Sequence, residues 1–143
     1  MLGILIALLS GALMSVQGVF NTQVTKQTSL WVSSGWVQLS AFFICVIAWF
    51  VAGRPEIGGI LAVKPRFLLL GGVIGAFITI TVVKSMESLG PAQAAMLIVV
   101  SQLAVAYGIE LLGLFGMERQ PFLWRKLFGL LVAVGGIILF RWE

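Results

Sequence analysis

GILIALLSGALMSVQGVFN, running from Gly3 to Asn21, decides how the rest of the chain is read. The stretch is apolar, uncharged and free of proline, and about 20 such residues suffice to cross a bilayer as a helix. At ~100° per residue, Gly3, Ala7, Ser10, Gly11, Met14, Ser15, Gln17, Gly18 and Asn21 fall within one arc of roughly 160°. Leu5, Ile6, Leu8, Leu9, Ala12, Leu13, Val16, Val19 and Phe20 fall opposite. One face is small and hydrogen-bonding, the other greasy. Gly3, Ala7, Gly11 and Ser15 form an unbroken small-xxx-small ladder, the pattern that lets helix backbones approach closely in lipid. Gln17 and Asn21 stand one turn apart at the end of that face. They fit two readings: polar residues near a helix seam, or the wall of a solute pathway.

Composition extends the membrane reading to the whole chain. Of 143 residues, 60% are hydrophobic and 10% charged, with a mean hydropathy of +1.11; soluble domains carry about 25% charge. The basic balance, net +4, does not imply nucleic-acid binding, because Lys and Arg in membrane proteins concentrate in cytoplasmic loops. Cys45 is the single cysteine and there is no histidine, so no internal disulfide, metal site or cofactor is expected. Without histidine, a Walker loop or a Ser/His/Asp set, acid–base catalysis has few groups to use, and the chain does not read as an enzyme. The N-terminus lacks the basic start of a signal peptide and reads as a permanent span.

Hydropathy predicts an all-α, polytopic transmembrane bundle: a single domain over 1–143 with five spans near 2–20, 30–52, 67–84, 92–114 and 124–140. Asn21 to Ser29 is expected as a polar link. Gly53 to Arg66 is the longest loop, and Ser88-Leu89-Gly90-Pro91 a tight turn with Pro91 starting the fourth helix. All four prolines lie between spans. Trp31, Trp49, Trp124 and Trp142 lie at span ends, where indoles favour the headgroup region, and Trp36 is the exception. Arg54, Lys64, Arg66, Arg119, Arg125 and Lys126 share one side of the membrane, and Lys26, Lys84 and Arg141 the other. That imbalance favours a cytoplasmic N-terminus and is small enough to allow dual insertion.

Polar faces recur on other spans. Ser34, Gln38, Ala41, Cys45, Ala48 and Ala52 form a stripe on the second, whose polar groups lipid does not tolerate unsatisfied. Gly71 and Gly75 on the third read as packing positions, and Lys84 at its end as snorkelling. On the fourth, Gln102, Ala106 and Glu110 follow at i, i+4 and i+8. Glu110 is the one acid placed at the margin of the hydrocarbon. It is either a coupling residue or a structural partner of Arg119, Arg125 or Lys126.

Leu89-Gly-Pro-Ala-Gln-Ala-Ala, Ser101-Gln102, Ile109-Glu-Leu-Leu-Gly-Leu-Phe-Gly and Gly129-Leu-Leu-Val-Ala-Val-Gly-Gly-Ile-Ile-Leu resemble the drug/metabolite transporter superfamily. With Gln17-Gly-Val-Phe-Asn21, the chain most resembles its YdcZ-like branch of five-span proteins. The resemblance implies a small-solute transporter of the inner membrane, built from two five-span units in opposite orientations: a dual-topology homodimer, or a heterodimer with an oppositely oriented paralogue. An odd number of spans agrees with this, since an antiparallel dimer supplies the inverted repeat that transporters use. The related small multidrug resistance proteins carry a central Glu in their first span. This chain has no acid in its first two spans, which excludes coupling through a first-helix carboxylate.

The expectation is therefore a secondary active transporter, an exporter of a small polar or cationic solute, working by alternating access in an antiparallel dimer. Gln17, Asn21, Ser34, Gln38 and Gln102 are the substrate-binding candidates. Glu110 is the coupling candidate, and Gly3, Ala7, Gly11, Ser15, Gly71 and Gly75 the helix-packing set. The bilayer, an oppositely inserted copy or paralogue and a small solute are the partners expected, with no nucleic acid. A non-transporting membrane subunit and a passive channel are the competing readings.

Overall fold

Two apolar helices joined by two residues open the chain. In the computed structural model, which describes residues 1–141, α1 spans Leu2–Gln27 and α2 spans Leu30–Val51. Thr28 leaves helical geometry, and Ser29 is extended and caps α2, its hydroxyl accepting the Val32 N–H at 3.3 Å. A serine there satisfies one of the free donors that begin every helix. The helix does not stop at Asn21: the expected link, Asn21 to Ser29, is helical through Gln27. That segment contains neither proline nor glycine, and Thr22 and Thr28 return their hydroxyls to the carbonyls of Gly18 and Val24 at 2.8 Å each. Its side chains can thus be polar without breaking the helix. The 26 residues of α1 make about 39 Å of helix, longer than the hydrocarbon core.

α2 closes with its exit pinned. Arg54 N–H bonds back to Trp49 O at 3.0 Å, the Trp49 indole donates to Pro55 O at 2.8 Å, and the Arg54 guanidinium lies over the Phe50 ring at 4.8 Å. Two 3₁₀ turns, Gly58–Ala62 and Arg66–Leu70, lead into α3, Gly71–Leu89. The α-helical part of this span begins later and ends later than the sequence suggests. Lys84, Glu87 and Ser88 are helical, with Ser88 Oγ donating to Lys84 O at 2.8 Å. The tight turn is reduced to Gly90, at φ +80°.

α4 spans Pro91–Leu112 with Pro91 in its first turn. It ends at Gly113, whose φ of +63° suits glycine, and a Cβ there would lie 3.2 Å from Arg119 Cβ and 3.3 Å from Met117 O. A short 3₁₀ turn, Leu114–Gly116, precedes α5, Trp124–Arg141. Four helical segments, those over Leu2–Gln27, Leu30–Val51, Arg66–Leu89 and Pro91–Leu112, are long and apolar enough to cross a membrane. α5 has 18 residues and carries Arg125, Lys126 and Arg141. Trp142, expected at the end of the last span, lies outside the described residues.

The chain divides into two compact units, Met1–Ser88 and Leu89 onward. In the first, α1 packs on α2 and Met86 and Val82 of α3 lie against Gly18 of α1. Val83 and Met86 are buried. In the second, α4 packs on α5. Most large apolar side chains remain uncovered by the chain itself, the expected condition of helices whose surroundings are lipid or other helices.

Candidate functional site

The polar residues of the first unit converge where α1 meets α2. Asn21, Thr22, Ser33 and Ser34 are each less than a tenth exposed. The Ser33 hydroxyl crosses between helices and donates to Asn21 O at 3.0 Å. This bond has a consequence for Thr25. In a helix, the Asn21 carbonyl already accepts the Thr25 N–H, and a carbonyl oxygen has two lone pairs. Ser33 takes the second, so the carbonyl to which a threonine hydroxyl ordinarily folds back is occupied. Thr25 Oγ1 is buried without a partner, as is Ser34 Oγ. The α1–α2 corner thus holds two unsatisfied hydroxyls within a turn of the Ser33–Asn21 bond. Each such group costs about 1–3 kcal/mol if nothing binds it.

Of the predicted binding residues, Asn21 and Ser34 belong to this buried corner. Gln17 precedes Asn21 by one turn and is exposed; Gln38 follows Ser34 by one turn and is half-buried. No acidic residue lies on α1 or α2, and Lys26 is their only cation. Gln102 and Glu110 belong to the second unit, where Gln102 is exposed.

Glu110 is held in place. Lys126 Nζ donates to Glu110 Oε2 at 2.7 Å, both side chains about two-fifths exposed. The Lys126 ammonium also lies 5.2 Å from the centre of the Tyr107 ring. Tyr107, the only tyrosine, fastens the loop before α5: its hydroxyl donates to Leu123 O at 3.2 Å and accepts Leu123 N–H at 2.9 Å. Phe122 packs near its ring, and Gln120 N–H reaches Glu110 O at 2.8 Å. The α4 terminus and the start of α5 are therefore clasped by an ion pair and a tyrosine bridge.

The packing set divides. Side chains added at Gly3, Gly11, Gly71 or Gly75 would meet nothing within 4 Å, and Ala7 and Ser15 are exposed, so among the described residues the ladder's outer face is open. Gly18 makes the close intrachain approach: a Cβ there would lie 2.5 Å from Met86 Cε. Sequence reading placed Gly18 on the polar face and missed this role. It also missed Thr25, assigned to a link, and Tyr107, although a lone tyrosine hydroxyl in an apolar helix calls for a partner.

Four helical segments long and apolar enough to cross a bilayer among the described residues define a multi-pass membrane protein. The chain belongs to the family described as "Putative inner membrane exporter, YdcZ", whose model matches residues 2–139. This places it in the inner membrane and frames its role as transport. No curated protein and no solved structure matches the chain.

Proposed function

We propose that the chain is one five-span half of a secondary active exporter that moves a small polar or cationic solute by alternating access. α5 serves as the fifth span. Its 18 residues make about 27 Å of helix, and Arg125 and Lys126 stand at its start, where long side chains reach the headgroups. Both compact units act together as one transmembrane domain, with the N-terminus cytoplasmic or the chain dually inserted. An oppositely inserted copy or paralogue supplies the second half, and the open Gly3, Ala7, Gly11, Ser15 face supports such pairing, since small-residue ladders favour close helix contact.

The observation that carries the solute reading is the α1–α2 corner. Its Ser34 and Thr25 hydroxyls are buried and unpartnered, in a family of exporters. A solute that accepts or donates hydrogen bonds relieves both. Gln17, Asn21 and Gln38 extend this surface; in the second unit Gln102 is a separate candidate for solute contact and Glu110 the group available for coupling. Aromatic side chains such as Trp31 and Trp36 could meet a cationic solute through their ring faces.

Flux of a solute panel in proteoliposomes tests this, with Gln17→Ala, Gln38→Ala and Ser34→Ala compared against the parent. A rise in KM or loss of flux in these variants, with counter-transport by solute placed on the opposite side, is the expected result. Unchanged flux and affinity in all three removes the site assignment. Flux without counter-transport points to a channel, and no flux for any solute points to a non-transporting subunit.

A further inference from the structure

We propose that the start of α5 binds one anionic phospholipid, with Arg125 and the Trp124 indole holding the headgroup and the face below them receiving an acyl chain. Trp124, Arg125, Leu127, Phe128 and Leu131 line an open groove of about 490 Å³. Trp124, Leu127, Phe128 and Leu131 follow at i, i+3, i+4 and i+7, one face of a helix. That face descends about 10 Å from Trp124 to Leu131, the direction from headgroup to hydrocarbon. Trp124 is 76% exposed, Phe128 69% and Leu131 58%, so the described residues leave the groove open.

Charge selects the occupant. Three cations stand in and beside this segment, and two are engaged: Lys126 pairs with Glu110, and Arg119 Nε donates to Leu111 O at 3.1 Å. Among the described residues Arg125 has no ion-pair or hydrogen-bond partner, and Glu118 forms no ion pair that would offset it. The Trp124 ring is fixed edge-on against Phe122, centroids 5.1 Å apart, while its indole N–H is not hydrogen-bonded to any described residue. A fork of guanidinium donors with an indole N–H beside it matches phosphate oxygens. The apolar face gives a phospholipid an advantage that a soluble phosphate lacks. The unopposed positive charge favours an anionic over a zwitterionic headgroup, about fivefold for one basic residue at a membrane surface.

The test uses the full chain in phosphatidylcholine vesicles, titrated with phosphatidylglycerol brominated on its acyl chains. Subtracting the fluorescence of Trp124→Phe isolates quenching at Trp124. That component should be quenched at about fivefold lower mole fraction of brominated phosphatidylglycerol than of brominated phosphatidylcholine. Arg125→Gln should abolish the difference, and Arg125→Lys should retain part of it. Glycerophosphate in solution should leave the quenching unchanged. Equal quenching by the two lipids, or an unaltered preference in Arg125→Gln, overturns the proposal. Displacement by glycerophosphate also overturns it, by assigning the site to a soluble phosphate.

Discussion

Replacing Gly18 by valine tests whether the contact between α1 and α3 is the close packing that the geometry indicates. A Cβ at this position would lie 2.5 Å from Met86 Cε, 2.8 Å from its sulfur and 3.4 Å from Val82 Cγ1. An alanine meets chiefly the mobile tip of a methionine, which has rotatable bonds to spare. Its strain is partly offset by removing a glycine from a helix interior, worth up to about 1 kcal/mol. Gly18→Ala should therefore lie close to the parent. Valine adds two methyls beside Val82, and Met86, at 4% exposure, has little room to retreat. Overpacking of this kind costs about 1–3 kcal/mol. Gly11→Val is the control, because nothing of the same chain lies within 4 Å of its Cβ. Unfolding by SDS in mixed micelles, followed by circular dichroism on monomeric protein, should show Gly18→Val destabilised and Gly11→Val unchanged. Adding Met86→Ala to Gly18→Val should recover at least about 1 kcal/mol relative to the sum of the single effects, as expected for residues in contact. Equal destabilisation by Gly11→Val and Gly18→Val, or additive behaviour with Met86→Ala, would refute the reasoning.

Other substitutions address the remaining contacts. Ser33→Ala removes the bond to Asn21 O but frees that carbonyl for Thr25, so its cost should be under about 1 kcal/mol; Thr25→Val should cost more in that background than in the parent, read from the same unfolding assay. Tyr107→Phe leaves the Leu123 N–H and carbonyl without their shared partner; a loss of about 1–3 kcal/mol and faster hydrogen exchange across residues 113–123 should follow. Lys126→Ala breaks an ion pair between partly exposed groups and should change stability by no more than about 1 kcal/mol. If Glu110 couples transport, Glu110→Gln should remove the dependence of flux on a proton gradient while Lys126→Ala retains it. Identical flux behaviour of the two variants would reduce Glu110 to a structural partner.

Helix existence was legible because hydropathy alone places long apolar runs, and the stop at Gly90-Pro91 follows from backbone chemistry that a sequence states openly. The ends were less legible. Asn21–Gln27 and Ser85–Leu89 fall outside the apolar runs, yet polarity on a helix that outruns the hydrocarbon does not end it; only Thr28–Ser29 and Gly90 do. The pairing of Gly18 with Met86 depends on how α1 and α3 approach, which a one-helix periodicity does not contain. The ladder Gly3, Ala7, Gly11, Ser15 is a small face, but nothing in its own sequence says whether its neighbour belongs to the same chain.

The same distinction governs the hydroxyls, and it sharpens which of them matter. Ser10, Ser15, Thr79, Thr81 and Ser88 each donate to a carbonyl one turn earlier. A hydroxyl in that arrangement has used its one donor and can only accept further, whichever face it occupies. Periodicity cannot separate silent hydroxyls from available ones, because the separation depends on who occupies each carbonyl's second lone pair. At Asn21 that occupant is Ser33, from the next helix, and Thr25 is displaced as a result. Amides behave differently: Gln17, Gln38 and Gln102 each carry two donors and an acceptor, and none is hydrogen-bonded to a described residue. Where lipid surrounds the helices, an amide of this kind requires water, a partner chain or a solute. The corner therefore combines one hydroxyl displaced from its usual carbonyl, Thr25, and one without a partner, Ser34, with the amides of Gln17 and Gln38 one turn away, an uncharged surface with free hydrogen-bonding groups.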